Sequence, residues 1–126
     1  MTKNPIYCAI DTSNIDEAIS VVDEIYKYIG GIKLGLEFFT SCGINGVEKF
    51  KTYDLPLFID LKLYDIPNTV KKSLHNILQI NPKFTTLHIS GGSEMLKTCV
   101  DLKKNLKSDT NLIGVTMLTR FENDKI

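Results

Sequence analysis

The feature that most constrains this chain is a strict alternation of short β-rich runs with longer segments of helical period, sustained from end to end. Such alternation predicts repeated strand–helix units and a parallel sheet. The first strand is expected over residues 6–10 and ends at Asp11. Ser13-Asn14 then supplies an N-cap, after which Ile15, Ala18, Ile19, Val22, Ile25 and Tyr26 recur at three- and four-residue intervals. Gly30-Gly31 reads as the stop of that helix. Residues 32–35 form a second strand, and a helical stretch starting at Glu37 breaks at about Cys42 and resumes through Val47 and Phe50. Pro56 opens a third strand over 57–62. Pro67-Asn68 starts a third helix with Val70, Leu74, Ile77 and Leu78 on one face. A fourth strand (84–89), the turn Gly91-Gly92-Ser93, a fourth helix (95 to about 106) and a fifth strand (112–118) complete the series.

Composition narrows the function classes. The chain has 126 residues, 43% of them hydrophobic and 24% charged, which suits one soluble globular domain. Fifteen Lys+Arg balance 15 Asp+Glu, so there is no basic surplus for nucleic acid or an anionic membrane. No apolar stretch approaches the roughly 18 residues that span a bilayer, and the N-terminus lacks the pattern of a signal peptide. Cys8, Cys42 and Cys99 are too far apart in sequence for a zinc motif, and an odd count closes no disulfide framework. A cytoplasmic location with reduced thiols is expected. Tyr26, Tyr28, Phe38 and Phe39 are read as packing residues, and the Lys103, Lys104, Lys107 group as a solvated helix end.

Five strands and four helices in alternation fit an open doubly wound sheet or part of a (β/α)8 barrel. The open sheet wants a glycine-rich phosphate loop after the first strand, and Asp11-Thr12-Ser13-Asn14 contains no glycine. A barrel needs eight units and about 200 residues or more. The expected fold is therefore α/β, a partial TIM barrel in which residues 1–126 form the N-terminal portion of a single barrel domain ending before the last three strands. The loops that usually hold phosphate in such barrels follow the seventh and eighth strands. They fall outside this expectation, and the first and fifth strands are expected as open edges.

In parallel α/β folds the active site gathers at the C-terminal ends of the strands. Strands buried on both faces should be apolar, so charged residues there are informative. Asp11 follows the first strand, Lys33 lies within the second, Asp60 and Lys62 end the third, His88 is in the fourth, and Thr116 and Thr119 belong to the fifth. Asp60 and Lys62 are two apart, which on a regular strand puts both side chains on one side of the sheet. Among Phe58, Ile59, Leu61 and Leu63 isolated charges are costly and must pair, with Lys33 able to join them. Asp65 adds a second carboxylate at the strand-to-helix turn. The set reads as a general-acid arrangement poised for proton delivery. His88 is either a ligand contact or an interior imidazole bonded to a carbonyl, and His75 is structural. Gly91-Gly92-Ser93 is either an anion-binding helix start or a tight turn and cap.

Asp60-Leu61-Lys62-Leu63-Tyr64-Asp65-Ile66-Pro67-Asn68-Thr69 resembles the signature of the orotidine 5′-phosphate decarboxylase family, Asp-x-Lys-x-x-Asp-Ile-x-x-Thr. Four flanking segments are similar to that family in order and spacing: Ala9 to Asn14, Ile32 to Gly35, His88 to Gly92 and Val115 to Thr119. The resemblance implies a homodimeric lyase that converts orotidine monophosphate to uridine monophosphate and carbon dioxide with neither metal nor organic cofactor. It implies Lys62 as proton donor, Asp60 beside the departing carboxylate, Lys33 bonding Asp60 and a ribose hydroxyl, and Asp11 binding ribose. Asp65, Ile66 and Thr69 would belong to the substrate site, with Asp65 and Thr69 reaching across into the partner's. Thr119 would contact the base. Two alternatives are a non-catalytic barrel fragment and a magnesium-dependent phosphosugar decarboxylase or aldolase of the same superfamily.

Overall fold

Asn14 caps the first helix as the sequence requires. In the computed structural model, which describes residues 3–119, its side-chain oxygen accepts from the backbone N–H groups of Asp16 at 2.9 Å and Glu17 at 3.0 Å. A helix start leaves four such donors without partners, and the cap satisfies two of them. Strand β1 (Tyr7–Ile10) thus passes into helix α1 (Ile15–Ile25). The chain continues as β2 (Gly31–Gly35), α2 (Leu36–Glu48), β3 (Leu57–Leu63), α3 (Pro67–Leu78), β4 (Phe84–His88), α4 (Ser93–Asn105) and β5 (Asn111–Val115). Helix α2 breaks at Gly43, whose φ of 64° interrupts the helix next to the expected Cys42 position. Pro67 opens α3 at its first turn, where a missing N–H costs nothing.

All four strand pairings are parallel, and the order in the sheet is β1-β2-β3-β4-β5. Each strand therefore lies beside its predecessor. With right-handed crossovers throughout, this order puts all four helices on one face. A doubly wound sheet reverses its order at a switch point and covers both faces. The observed order has no reversal, which leaves part of a barrel as the architecture.

The helix-facing side holds the core. Ile32, Leu34, Leu57 and Ile59 pack with Ala18, Val22, Phe38, Val47 and Phe50 in one cluster, all of them buried. Val70, Leu74, Leu87, Met95, Cys99 and Leu102 form a second under α3 and α4, and Leu63 touches both. Each large side chain buried this way contributes about 1.5–3 kcal/mol of transfer free energy. The opposite face carries an aromatic layer from the lower strand ends: Tyr7, Phe58 and Phe84, with ring centroids 6.4, 5.7 and 5.6 Å apart pairwise.

Four expectations change. Gly31 does not stop α1. That helix runs into a short 3-10 turn, Tyr26–Tyr28, and Gly31 instead belongs to β2, where an added Cβ would overlap the Tyr7 ring. Strand β4 ends at His88, because Ile89–Gly91 turns into a 3-10 helix. Strand β5 ends at Val115 rather than residue 118, since its last pairing is with His88, where β4 stops; Thr116 and Thr119 lie past the strand. Tyr28 is 73% exposed and packs no core.

Gly31→Ala should lower stability by about 1–3 kcal/mol, the usual cost of overpacking. Urea denaturation in the parent and in a Tyr7→Ala background tests the cause. The cost should shrink when the ring is gone, and an equal cost in both backgrounds contradicts the account.

Candidate active site

Asp60 is the charged residue that β3 cannot expose. It is 8% exposed, on a strand otherwise made of Leu, Phe and Ile up to that point. Three groups compensate it. Lys62 Nζ donates to Asp60 Oδ2 at 2.9 Å, Lys33 Nζ stands 3.6 Å from the same oxygen, and the Thr86 hydroxyl donates to Oδ1 at 2.8 Å. Burial, the largest single influence, pushes the Asp60 carboxyl up. The hydrogen bonds from Lys62 and Thr86 and the charges of Lys62 and Lys33 together outweigh it and hold the carboxyl below its usual value. Asp60 is thereby kept as a carboxylate although it is out of water.

The local backbone of β3 is irregular where this happens. Ile59 pairs with Thr85 and Leu63 with Leu87, so an advance of four residues on β3 is matched by two on β4. Within this bulge Lys62 has a φ of 50°, a left-handed conformation that costs a non-glycine residue roughly 1–3 kcal/mol. Two threonine hydroxyls bond the displaced backbone: Thr85 Oγ1 donates to the Ile59 carbonyl at 2.8 Å, and Thr86 Oγ1 accepts from the Lys62 N–H at 2.9 Å. Leu57, Ile59, Leu61 and Leu63 all pack against the helix-side core, so alternation persists through the bulge and leaves Asp60 and Lys62 together on the opposite side. The pair meets across a bulge, a device that commonly re-aims a side chain beside an active site.

The two lysines and Asp60 open onto a cleft of about 550 Å³ that Asp11, Tyr64, His88 and Leu118 also line. It lies at the C-terminal ends of the strands, where a barrel places its chemistry. His88 Nδ1 accepts from the Ser90 N–H at 3.2 Å, and its ring lies 5.4 Å from that of Tyr64. A neutral His88 so bonded carries its proton on Nε2. A second cleft, about 560 Å³, lies at the opposite end beside Pro56, Asn81 and Lys83, away from this charge array. Among the described residues, no three His, Cys, Asp or Glu side chains are grouped to hold a metal ion.

A protein-family model described as Orotidine 5'-phosphate decarboxylase / HUMPS family matches residues 4–126. The chain belongs to this family. It is 47% identical over 123 residues to an orotidine 5'-phosphate decarboxylase from Wolbachia sp. subsp. Brugia malayi, covering 98% of this chain and 54% of that protein. It is 42% identical over 126 residues to the protein of the same name from Ehrlichia chaffeensis, covering 100% and 54%. Among solved structures it is similar to an orotidine 5'-monophosphate decarboxylase from Methanocaldococcus jannaschii complexed with the inhibitor BMP, with a TM-score of 0.81 and 25% identity over 92% of this chain and 53% of that one. An uncharacterized conserved protein from Geobacillus kaustophilus gives a TM-score of 0.83 at 26% identity, covering 95% and 58%. The chain spans about half the length of the curated relatives it matches.

The family signature divides in two in this structure. Asp60 and Lys62 line the cleft, and Asp11 and Lys33 line it from β1 and β2. Asp65, Ile66 and Thr69 are exposed and do not line it. Asp65 bonds the Ile66 N–H at 2.6 Å and Ile66 is 69% exposed. Thr119 is exposed and outside the lining, which Leu118 joins instead. Thr86 was not anticipated. The signal for it was present as Thr85-Thr86 in the middle of a strand that should be apolar.

Asp60 makes acid stability testable. A carboxyl depressed in the folded state contributes stability that is complete above its ordinary value of 3.8 and is lost as the pH falls below that through the folded value. Urea unfolding of the parent and Asp60→Asn at about pH 6 and about pH 3 should show the parent losing ground to the variant at the lower pH. A difference that does not change with pH contradicts the depressed carboxyl.

Proposed function

We propose that this chain supplies the N-terminal portion of one barrel domain and, with it, the charge array that decarboxylates orotidine monophosphate to uridine monophosphate. The observation that carries the reading is a single carboxylate oxygen, Asp60 Oδ2, shared by Lys62 and Lys33 at the head of the cleft. In the proposed reaction the bond between the pyrimidine ring and its carboxylate breaks and the electron pair stays on the ring carbon. Carbon dioxide leaves. The Lys62 ammonium gives one proton to that carbon and becomes the neutral amine, completing uridine monophosphate.

The electrostatics favour this direction. A fixed Asp60 charge disfavours the substrate carboxylate and not neutral carbon dioxide, while the Lys62 charge favours the developing carbanion. Interactions that are stronger in the transition state than in the ground state are the ones that raise the chemical rate. Lys33 holds Asp60 and a ribose hydroxyl, and Asp11 binds ribose. The exposed Asp65, Ile66 and Thr69 fit a homodimer in which Asp65 and Thr69 complete the neighbour's site. The substrate is a small molecule handled in the cytoplasm without metal or organic cofactor, and neither nucleic acid nor membrane is a partner. Among the described residues, no helix is long and apolar enough to cross a membrane. The curated relatives, 42–47% identical, are named as decarboxylases of orotidine 5'-phosphate, which favours this substrate over a phosphosugar.

Phosphate in such barrels is usually gripped by loops after the last two strands. The described residues hold five strands, and the chain spans about half the length of the relatives it matches. The test is loss of orotidine monophosphate absorbance with the chain alone and with the chain plus a polypeptide covering the remaining part of a full-length relative. Turnover is expected in the mixture, with Lys62→Ala slower by roughly a hundredfold or more at unchanged circular dichroism. Turnover that survives Lys62→Ala, or turnover only of a keto-sugar phosphate with magnesium, contradicts the proposal.

A further inference from the structure

We propose that Thr86 is the positioning residue of the proton donor: its one hydroxyl locks the bulge that aims Lys62 and at the same time anchors the carboxylate that Lys62 must hold. The inference deepens the reading above, in which Lys62 and Asp60 carry the chemistry, and concerns how this chain orients them.

A hydroxyl has one proton to donate and lone pairs to accept with. Thr86 uses both. It donates to Asp60 Oδ1 at 2.8 Å and accepts from the Lys62 backbone N–H at 2.9 Å. The residue is 3% exposed, so water does not replace it in either bond. Its direction is enforced as well, because an ionised carboxylate only accepts and an amide N–H only donates. The hydroxyl proton must therefore point at Asp60.

The consequence for Lys62 follows from backbone geometry. Lys62 sits at φ 50°, where a side chain is held only if the surroundings over-determine it. Its N–H lies in the bulge, away from the regular pairing between Ile59–Thr85 and Leu63–Leu87. Thr86 gives that N–H its partner. Without it this half-buried donor would lose its partner, and the backbone would gain by relaxing toward an ordinary extended conformation. That relaxation would swing the Cα–Cβ direction of Lys62. Thr85 serves as an internal comparison, since its hydroxyl bonds only the Ile59 carbonyl at 2.8 Å. It stabilises the same bulge, and its hydroxyl bonds neither the Asp60 carboxylate nor the Lys62 amide.

Nuclear magnetic resonance on the labelled chain tests this without any turnover, so its outcome is independent of the substrate proposed above. The charged and titratable groups facing Asp60 are Lys33 from β2 and Lys62 from β3, with Asp11 after β1 and His88 on β4 lining the same cleft. All of them are kept. In Thr86→Val the Asp60 carboxyl should titrate at higher pH than in the parent, and the Lys62 amide should exchange faster by roughly tenfold, the order expected for one lost hydrogen bond. Thr86→Ser should restore both signals. Thr85→Val should lower global stability and leave the Asp60 titration in place. Equal Asp60 titrations in the parent and Thr86→Val, or Thr86→Ser behaving as Thr86→Val, overturn the proposal. Should Thr86→Val not fold, the parent chain decides. A slowly exchanging Thr86 hydroxyl proton with a nuclear Overhauser effect to the Lys62 amide supports it, and a freely exchanging hydroxyl overturns it.

Discussion

A carboxylate buried in a parallel strand is the constraint around which this site is arranged. Left alone, the charge of Asp60 in a low-dielectric setting would cost several kcal/mol and would be lost to protonation. It is kept because its two oxygens are divided between partners. Oδ2 takes both ammonium groups and Oδ1 takes the Thr86 hydroxyl. Lys33 and Lys62 remain partly open to water, with side chains 33% and 41% exposed. The pairing therefore fixes charge where a ligand can reach it, and little net stability should be attributed to the ion pairs themselves.

The fold supplies the platform in layers. Because each strand neighbours its predecessor, all helices fall on one face, and the other is free to carry the site. On that free face Phe58 stands two residues before Asp60 and Phe84 two before Thr86, with Tyr7 crossing Gly31 to meet both rings. An apolar floor thus lies directly beneath the charged layer. Reaching it required a glycine in β2 so that the Tyr7 ring could pass. The bulge in β3 then lifts Lys62 onto the same cleft as Asp60.

What was legible in advance follows the range of the physics involved. Periodicity, caps and the absence of a glycine loop after β1 sufficed for the element order and for a barrel over a doubly wound sheet, since these are local or statistical properties of the chain. Asn14 and Pro67 mark their helix starts for that reason. The charge cluster was legible because Asp60 and Lys62 contradict the apolar rule for a buried strand. The rest depends on cross-strand register, which no single segment encodes. Gly31 looked like a stop signal because the Tyr7 ring that requires it lies in another strand. The end of β5 at Val115 is set by where β4 stops. Asp60 and Lys62 share one side as the two-residue period requires, but the bulge around them and the role of Thr86 are visible only once β3 and β4 are side by side.

Lys33, Asp60 and Lys62 line one cleft at the C-terminal end of the sheet, and we propose that this array faces a nucleotide. Its most direct test is titration of the isotopically labelled chain with uridine monophosphate, following the lysine side-chain ammonium and aspartate carboxyl signals. Shifts should concentrate at Asp11, Lys33, Asp60 and Lys62. Signals that stay unmoved there, or that move instead around Asn81 and Lys83 at the opposite end, would contradict the proposal.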